Sequence, residues 1–221
     1  MIKVRRIAGW FAVLVVLLVV TTGCASTVGD RAEKGEVEAF EHNRRYLVGV
    51  LSFEDTTGEM LLREMQDSFS GLLISRLQDH GRYRLIEKER IDSLLAEQSF
   101  QMSGAVGADN IQEVGNMLGV EALCITSIDY LNYSEEKTSA FIAWIDKQRA
   151  EVGVSSRIVS VATGEILATA ETVAKRGRNR HVAFWLLKKG SFLDKSALIN
   201  EAMNVAVGNL AFSLSEKAVR K

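Results

Sequence analysis

The apolar and polar positions in the first part of the chain follow strand spacing and then helical spacing. Residues 46–53 (YLVGVLSF) form an apolar run with β-branched and aromatic members, which predicts a buried strand. With Gly81 as a stop signal, the next apolar stripe predicts a helix over residues 59–80. Thr56 and Glu59 fit a capping box at the start of that helix. The stripe consists of Leu62, Met65, Phe69, Leu72, Leu73 and Leu77.

The remaining elements are predicted in the same way, from the spacing of apolar residues and the turn signals between them. Thr163 and Gly164 separate two alternating runs and are typical of a tight hairpin, in which Gly164 supplies a positive φ. The order of elements predicts a single α/β sandwich with a mixed sheet. We expect a short strand over 82–87, a helix over 88–100, a helix capped by Asp109 and ended by Gly119, strands over 122–133, 152–162 and 165–172, and a helix over 195–217.

The N-terminus has the pattern of a bacterial lipoprotein signal. Met1–Arg6 carries three basic residues, Ile7–Val20 is apolar or small, and Thr21-Thr22-Gly23 leads to Cys24. This pattern is typical of a signal peptide, and its apolar core is shorter than the ~20 residues that span a membrane. The end resembles a lipobox, although Thr21 replaces the usual large aliphatic residue. We expect a signal peptide over 1–23 and a lipid on Cys24. An uncleaved anchor helix and an ordinary secretory peptide are the alternatives.

The segment after Cys24 is small, polar and charged, which predicts a lipid-anchored flexible tether over residues 24–44 and a folded domain over 45–221. Residue 25 is Ala rather than Asp, which favours the outer membrane over retention in the inner membrane. The expected location is therefore the periplasmic face of the outer membrane. The first partner is then membrane lipid, bound through Cys24.

Charge and cysteine content exclude several classes of function. The chain has a formal net charge of −1, and removal of a signal segment with charge +3 leaves a mature chain near −4. This charge lacks the basic footprint of nucleic-acid binding, so we expect no nucleic-acid partner. The sequence has two cysteines, and if Cys24 carries a lipid only Cys124 remains as a thiol. We therefore expect Cys124 to be buried and inert, with no intrachain disulfide and no thiolate zinc site.

Catalytic chemistry has weak support in the sequence. His42, His80 and His181 are not placed at ligand or triad spacing. Glu54 and Asp55 follow a strand end, where α/β active sites occur, but there they are expected to favour the positive end of the next helix. We therefore predict no catalytic, metal or cofactor site and no enzyme. A hydrolase that uses Glu54 or Asp55 is the third hypothesis for function.

Several segments in a fixed order carry a family resemblance. They are YLVGVLSFEDTTGE, GRYRLIEKERIDSLLAEQ, MLGVEALCITSIDYL and RIVSVATGEIL, followed by the last helix. Together they resemble the curli production assembly/transport (CsgG-like) family over about residues 46–214. Ser160 departs from the Asp that the family usually carries before its last hairpin.

The resemblance implies an oligomeric outer-membrane lipoprotein with a periplasmic α/β domain. Family members form rings, in which each subunit adds two long β-hairpins to a shared membrane barrel. The corresponding places here are Leu131–Glu151 and Val173–Phe192. Both regions are rich in charge and neither shows two clear alternating strands, so we expect the pore to be lost or shortened.

Two hypotheses for function follow. In the first, the protein supports protein secretion or surface-fibre assembly, with other envelope proteins or a homo-oligomeric ring as partners. In the second, it is a monomeric adaptor or activator that binds a cell-wall synthase or another periplasmic protein without forming a pore. The basic run Lys175–Arg180 fits either lipid headgroups or a solvated loop. The candidate oligomer or membrane contacts are Phe141, Trp144, Phe184, Trp185, Leu186 and Leu187.

Overall fold

A mixed sheet packed between helices forms the domain. The computed structural model describes residues 28–29, 37–86, 91, 93, 108–140, 143–183 and 187–221. The helices are α1 (Met60–His80), α2 (Ala108–Leu118) and α3 (Lys195–Glu216). The strands are β1 (Val28–Gly29), β2 (Leu47–Val50), β3 (Glu54–Asp55), β4 (Arg84–Leu85), β5 (Ala122–Ala140), β6 (Ala143–Ser160), β7 (Ile166–Ala183) and β8 (Leu187–Lys189). This order confirms the predicted α/β sandwich.

The sheet is parallel at one side and antiparallel at the other. Its strand order is β1-β7-β6-β5-β2-β4, with β3 paired to β5 and β8 paired to β7. Strand β2 runs parallel to β4 and β5, whereas β5, β6 and β7 form an antiparallel meander. The meander strands are 18 or 19 residues long, far longer than the parallel strands. They determine the shape of the molecule.

Two apolar cores lie on opposite faces of the sheet. Helices α1 and α3 cover one face, where residues such as Leu73, Val152 and Leu210 are fully buried. On the other face, Leu123 of β5 packs in a cluster with Ile91 and with Leu118, the last residue of α2. The predicted helix over 88–100 lies outside the described residues, apart from positions 91 and 93, which are helical.

Both predicted helix caps are wrong. Helix α1 begins at Met60, and no side chain caps it. Thr56 instead donates through Oγ1 to the Ile128 carbonyl at 2.7 Å, which holds β3 against β5. Helix α2 begins at Ala108, so Asp109 lies inside the helix rather than before it. The two C-terminal signals are confirmed, since Gly81 and Gly119 have φ of 62° and 66°.

The hairpin between β6 and β7 forms at the predicted residues. Gly164 has φ of 72°, a region that favours glycine. The Ser160 carbonyl accepts from the Gly164 N–H at 2.9 Å, and Ser160 Oγ accepts from the Thr163 N–H at 3.3 Å. An Asp at this position could accept the same bond through its carboxylate. The departure from the family pattern therefore preserves the turn.

The two charged regions are strands, contrary to the expectation from their sequence. Residues 131–140 continue β5, residues 143–151 begin β6, and residues 173–183 end β7. These strands do not need an apolar stripe, because continuous backbone pairing joins them and some of their charges are paired across the sheet. Asp146 and Arg180 are opposite each other in the β6–β7 register, and an ion pair of 2.7 Å joins them.

The packed domain begins before the predicted boundary at residue 45. Phe40, which the sequence assigns to the flexible tether, is only 6 % exposed. Its N–H donates to the Gly81 carbonyl at 3.1 Å, and its ring lies 4.0 Å from the Arg82 guanidinium. The tether therefore ends before Phe40, and part of the predicted tether belongs to the core.

Cys124 is fully buried on β5, as predicted. Its Sγ lies 3.3 Å from Ser156 Oγ, and the Thr126 and Ser156 hydroxyls are 2.9 Å apart. Burial raises the pKa of the Cys124 thiol, which disfavours the reactive thiolate.

We expect the domain to lose stability as the pH falls below about 6.5. His80 packs edge-on against Phe212, and its burial lowers the pKa of its imidazole from the usual 6.5. The unfolded chain therefore binds the proton more readily, so stability is undiminished above pH 6.5 and declines below it. Comparing the urea midpoint of unfolding at about pH 7.5 with that at about pH 5.5 tests this expectation. A His80→Gln variant should show a smaller decline, and an equal decline would contradict the assignment.

Candidate functional site

The most distinctive feature is the part of the meander that extends beyond the helices. The residues before Ala150 on β6 and after Ala174 on β7 lie beyond the apolar core, and polar side chains replace apolar ones there. We call residues 131–140, 143–149 and 175–183 the sheet extension. Its strands stay in continuous register, from Leu131↔Val152 to Ala140↔Ala143 and from Ala174↔Val152 to Ala183↔Ala143. The three strands form one continuous ribbon, and β8 adds a short antiparallel strand to the outer edge of β7.

On the face toward α3, a buried amide holds the ribbon to the chain that leads into the helix. Gln148 is 3 % exposed, and its Nε2 donates to the Leu193 carbonyl at 2.8 Å. Its Oε1 accepts from the Leu193 N–H at 3.2 Å. The same amide donates to the Tyr133 hydroxyl at 3.0 Å, and that hydroxyl donates to Glu135. Desolvation and this bond raise the pKa of Tyr133, and the bond lowers the pKa of Glu135.

Two arginines of β7 fix the same face. Arg178 donates to both carboxylate oxygens of Glu201 on α3, at 2.8 and 2.9 Å. Arg180 donates to Asp146 through Nε and NH2, at 3.0 and 2.7 Å. Its guanidinium also lies 4.5 Å from the centre of the Phe192 ring. Charge-assisted bonds of this kind fix geometry as well as adding stability, so the ribbon keeps a defined position relative to α3.

The opposite face is open and carries a tyrosine packed on a glycine. Tyr130 follows a bulge in β5 and lies opposite Gly153, where an added Cβ would sit 2.3 Å from its ring. The Tyr130 hydroxyl donates to Glu151 at 3.1 Å, and Lys175 lies 3.2 Å from the same carboxylate. Desolvation, with the Glu151 hydrogen bond and charge, raises the pKa of Tyr130. The tyrosine is 39 % exposed and available to a partner.

The predicted contact residues are only partly described. Trp144 is half-buried on β6, and the Lys137 ammonium lies 5.2 Å from its ring centre. Leu187 is placed by its backbone, which pairs with Ala183. Phe141, Phe184, Trp185 and Leu186 lie outside the described residues, as does Cys24, and their roles stay predictions.

The candidate catalytic residues lie on a short strand at the edge of a groove. Glu54 and Asp55 form β3, and Asp55 Oδ1 accepts from the Thr57 N–H and hydroxyl at 2.9 and 2.6 Å. A groove of about 280 Å³ beside Glu54 is lined by hydroxyls, among them Ser127 and Ser155. Both hydroxyls donate to Asp129, at 2.8 and 3.0 Å, which pins the β5 bulge.

The three histidines lie apart from this groove. His42 is in a 3-10 turn, His80 is at the end of α1, and His181 is exposed on β7. Among the described residues, no group of three acidic, His or Cys side chains is placed to hold a metal ion. None of the helices described is both long and apolar enough to cross a membrane.

We expect replacement of Gln148 by leucine to loosen the ribbon. The variant leaves the Leu193 N–H and carbonyl without their partner, which costs about 1–3 kcal/mol. Hydrogen exchange at Leu193 should accelerate together with a drop in the urea midpoint. Gln148→Glu places a buried carboxylate beside Glu135, to which the wild-type amide donates at 3.2 Å, so its urea midpoint should fall at least as far as that of the leucine variant. Unchanged exchange at Leu193 in both variants would contradict the role of this amide.

Comparison with known proteins identifies the family. The sequence matches the family described as curli production assembly/transport component CsgG over residues 36–221. The match covers most of the chain, and the protein belongs to this family. Membership agrees with the envelope-associated lipoprotein expected from the N-terminal pattern. No curated protein matches the sequence.

Several solved structures match much of this chain at low sequence identity. Lipoprotein GNA1162 from Neisseria meningitidis is 11 % identical, with a TM-score of 0.46 and coverage of 76 % of this chain and 99 % of that one. A putative neuraminyllactose-binding hemagglutinin homolog from Helicobacter pylori is 13 % identical, with a TM-score of 0.46 and coverage of 85 % and 91 %. The C-terminal domain of LpoB from Salmonella enterica is 12 % identical, with a TM-score of 0.41 and coverage of 61 % and 86 %.

Proposed function

We propose that this protein is a lipid-anchored component of an export or surface-fibre assembly system at the periplasmic face of the outer membrane. It acts by binding other envelope proteins or copies of itself, and not by catalysis. The observation that carries the proposal is the sheet extension, three strands that leave the helical layers while keeping their register. Family membership supports the assembly role, and the N-terminal pattern ending in Cys24 supports the anchor.

The sheet extension is suited to binding because it is held rigid before any partner arrives. Gln148 is bonded to Leu193, and Arg178 to Glu201, so the ribbon is fixed to the chain around α3. A surface that is already ordered loses little conformational entropy on association. The face with Tyr130 offers an exposed aromatic side chain, a residue type that recurs at the centre of interfaces.

Charge on both faces favours the pore-free form of this function. A strand that crosses a bilayer turns one face to lipid, and that face is apolar. In the sheet extension, alternation places Asp146 on the face toward α3 and Lys147 and Arg149 on the other. Neither face is apolar. This observation favours the alternative function, a monomeric adaptor or activator that binds a cell-wall synthase or another periplasmic protein.

The deciding experiment is the mass and membrane conductance of the lipidated protein extracted in detergent. A large ring that conducts ions would establish the secretion role and rule out the adaptor. A monomer without conductance that co-purifies with an envelope protein would establish the adaptor. Recovery of the mature chain from the cytoplasm, without a lipid on Cys24, would contradict both the secretion role and the adaptor role.

A pair of matched variants locates the contact surface. Trp144→Ala removes a half-buried aromatic from the sheet extension, and Ile166→Ala removes an exposed apolar residue at the opposite end of β7. We expect Trp144→Ala to weaken the oligomer or the partner complex about tenfold or more. Ile166→Ala should leave it unchanged. Equal loss in both variants would show that the contact lies elsewhere.

A further inference from the structure

Strand β1 fixes where the anchor leaves the domain. Val28 pairs with Gly177 and Gly29 with Arg176, so the N-terminal chain joins the outer edge of β7 within the sheet extension. Val28 comes four positions after Cys24, a reach of about 14 Å at most. Because β1 is antiparallel to β7, its N-terminal end at Val28 is the end nearer to Ala183. A lipid on Cys24 therefore brings the membrane to the sheet extension rather than to the helical layers.

Positive charge is concentrated at that same end of the molecule. Residues 131–151 and 173–191 together hold nine Lys or Arg against four Asp or Glu, a net charge of +5. The whole chain has a net charge of −1, so the rest of it is acidic. Residues 173–191 contain six of these basic residues and no acidic residue. The basic end of the domain is thus the end next to the anchor.

Two exposed cations lie on the open face of the sheet, beside the point where β1 joins it. Arg149 lies opposite Gly177, the register partner of Val28, and is exposed. The Lys175 side chain is 61 % exposed and lies 3.2 Å from Glu151. The face toward α3 carries Arg178 and Arg180, which hold the ribbon in place through Glu201 and Asp146.

We infer that Arg149 and Lys175, on the open face of the sheet extension, form a headgroup-binding surface that rests on anionic phospholipids of the leaflet holding the Cys24 lipid. This inference deepens the proposed function and rests on its lipid anchor. Each cation near an anionic surface raises the affinity about fivefold, and the attraction fades beyond about 8–10 Å at physiological salt. The anchor and the cations act at neighbouring points, so together they set the orientation of the domain on the membrane, which a lipid tether alone leaves free.

The test compares two lysines of the full-length lipidated protein reconstituted into vesicles. Lys175 lies in the proposed surface. Lys217 is an exposed lysine that donates to the Thr169 carbonyl on β7. Thr169 lies six residues before Lys175 on the same strand, so the two lysines are about 20 Å apart. We expect acetylation of Lys175 to be several-fold slower in vesicles with phosphatidylglycerol than in detergent or pure phosphatidylcholine. High salt should abolish the difference, and Lys217 should react at one rate throughout. Equal rates for Lys175 in all three settings would overturn the inference.

Neutral variants separate headgroup binding from simple proximity. Arg149→Gln should remove most of the protection of Lys175 in phosphatidylglycerol vesicles. Arg157→Gln, an exposed arginine on the same strand and face of β6, is the control and should leave the protection intact. Circular dichroism melting confirms that each variant is folded. Full protection of Lys175 in the Arg149→Gln variant would overturn the inference.

The mass of the N-terminal peptide distinguishes this inference from the proposed function. A lipid on Cys24 with no protection of Lys175 contradicts the headgroup surface and leaves the lipoprotein proposal standing. Without a lipid on Cys24 the lipoprotein proposal fails, and the surface is then tested by sedimentation of the same protein with phosphatidylglycerol vesicles. Retention in the supernatant would overturn it, and salt-sensitive sedimentation would support it.

Discussion

Replacing Gly190 with alanine is expected to lower the free energy of unfolding by about 2–4 kcal/mol. Gly190 has φ of 97°, a conformation that strains any residue with a Cβ. An added Cβ would also lie 2.3 Å from the Asn179 carbonyl oxygen and 3.2 Å from Arg180 Cα. These are backbone atoms of β7, which cannot rotate out of the way as a side chain can. The ribbon and the chain leaving β8 would therefore have to separate.

Gly164→Ala provides a matched control for the strain alone. Gly164 also has a positive φ, 72°, but nothing lies within 4 Å of its added Cβ. We expect it to cost about 1–2 kcal/mol. Urea denaturation gives both costs, and hydrogen exchange of the β8 amides shows where the ribbon opens. Equal destabilisation by the two variants would mean that the contact between Gly190 and β7 contributes nothing.

Phe40→Ala is expected to destabilise the domain by about 3–5 kcal/mol, the range for truncating a buried phenylalanine. The ring is 6 % exposed and lies between two guanidinium groups, 4.0 Å from Arg82 and 5.1 Å from Arg220. Its loss removes both the apolar contact and the two cation–π contacts, which join the start and the end of the domain. Thermal melting monitored by circular dichroism measures the effect.

Phe40→Leu separates packing from a general effect of mutation. Leucine keeps most of the buried volume, so we expect a cost of about 1 kcal/mol. A residue in a flexible tether would tolerate both changes to within about 0.5 kcal/mol. That result would restore the boundary at residue 45.

The sequence predicts the helices well because their signals are local. The stripe from Leu62 to Leu77 is visible at helical spacing, and Gly81 marks its end by a backbone requirement that few other residues meet. The caps were mispredicted because a hydroxyl has several possible partners. Thr56 bonds to Ile128, 72 residues away, in preference to the adjacent helix.

The sheet extension was missed because its stability has no periodic signature. The pairs that hold it join residues far apart in sequence, Asp146 to Arg180 over 34 residues and Gln148 to Leu193 over 45. Before the register is known, such residues resemble a solvated, charged loop. Phe40 was missed for a related reason, since a single aromatic in a polar stretch predicts no element until Arg82 and Arg220 are placed around it.

The order of α3 after the strands that it covers has a consequence for biogenesis. Twelve residues of this helix are buried, and they cover the apolar face of strands that are synthesised earlier. The chain after α3 then joins the start of the domain, because the Lys221 N–H donates to the Arg44 carbonyl at 3.0 Å. A nascent or translocating chain therefore exposes the face of β5, β6 and β7 until α3 has been synthesised and has packed. During that interval it is a substrate for holdase chaperones, and a product truncated before α3 is marked for proteolysis.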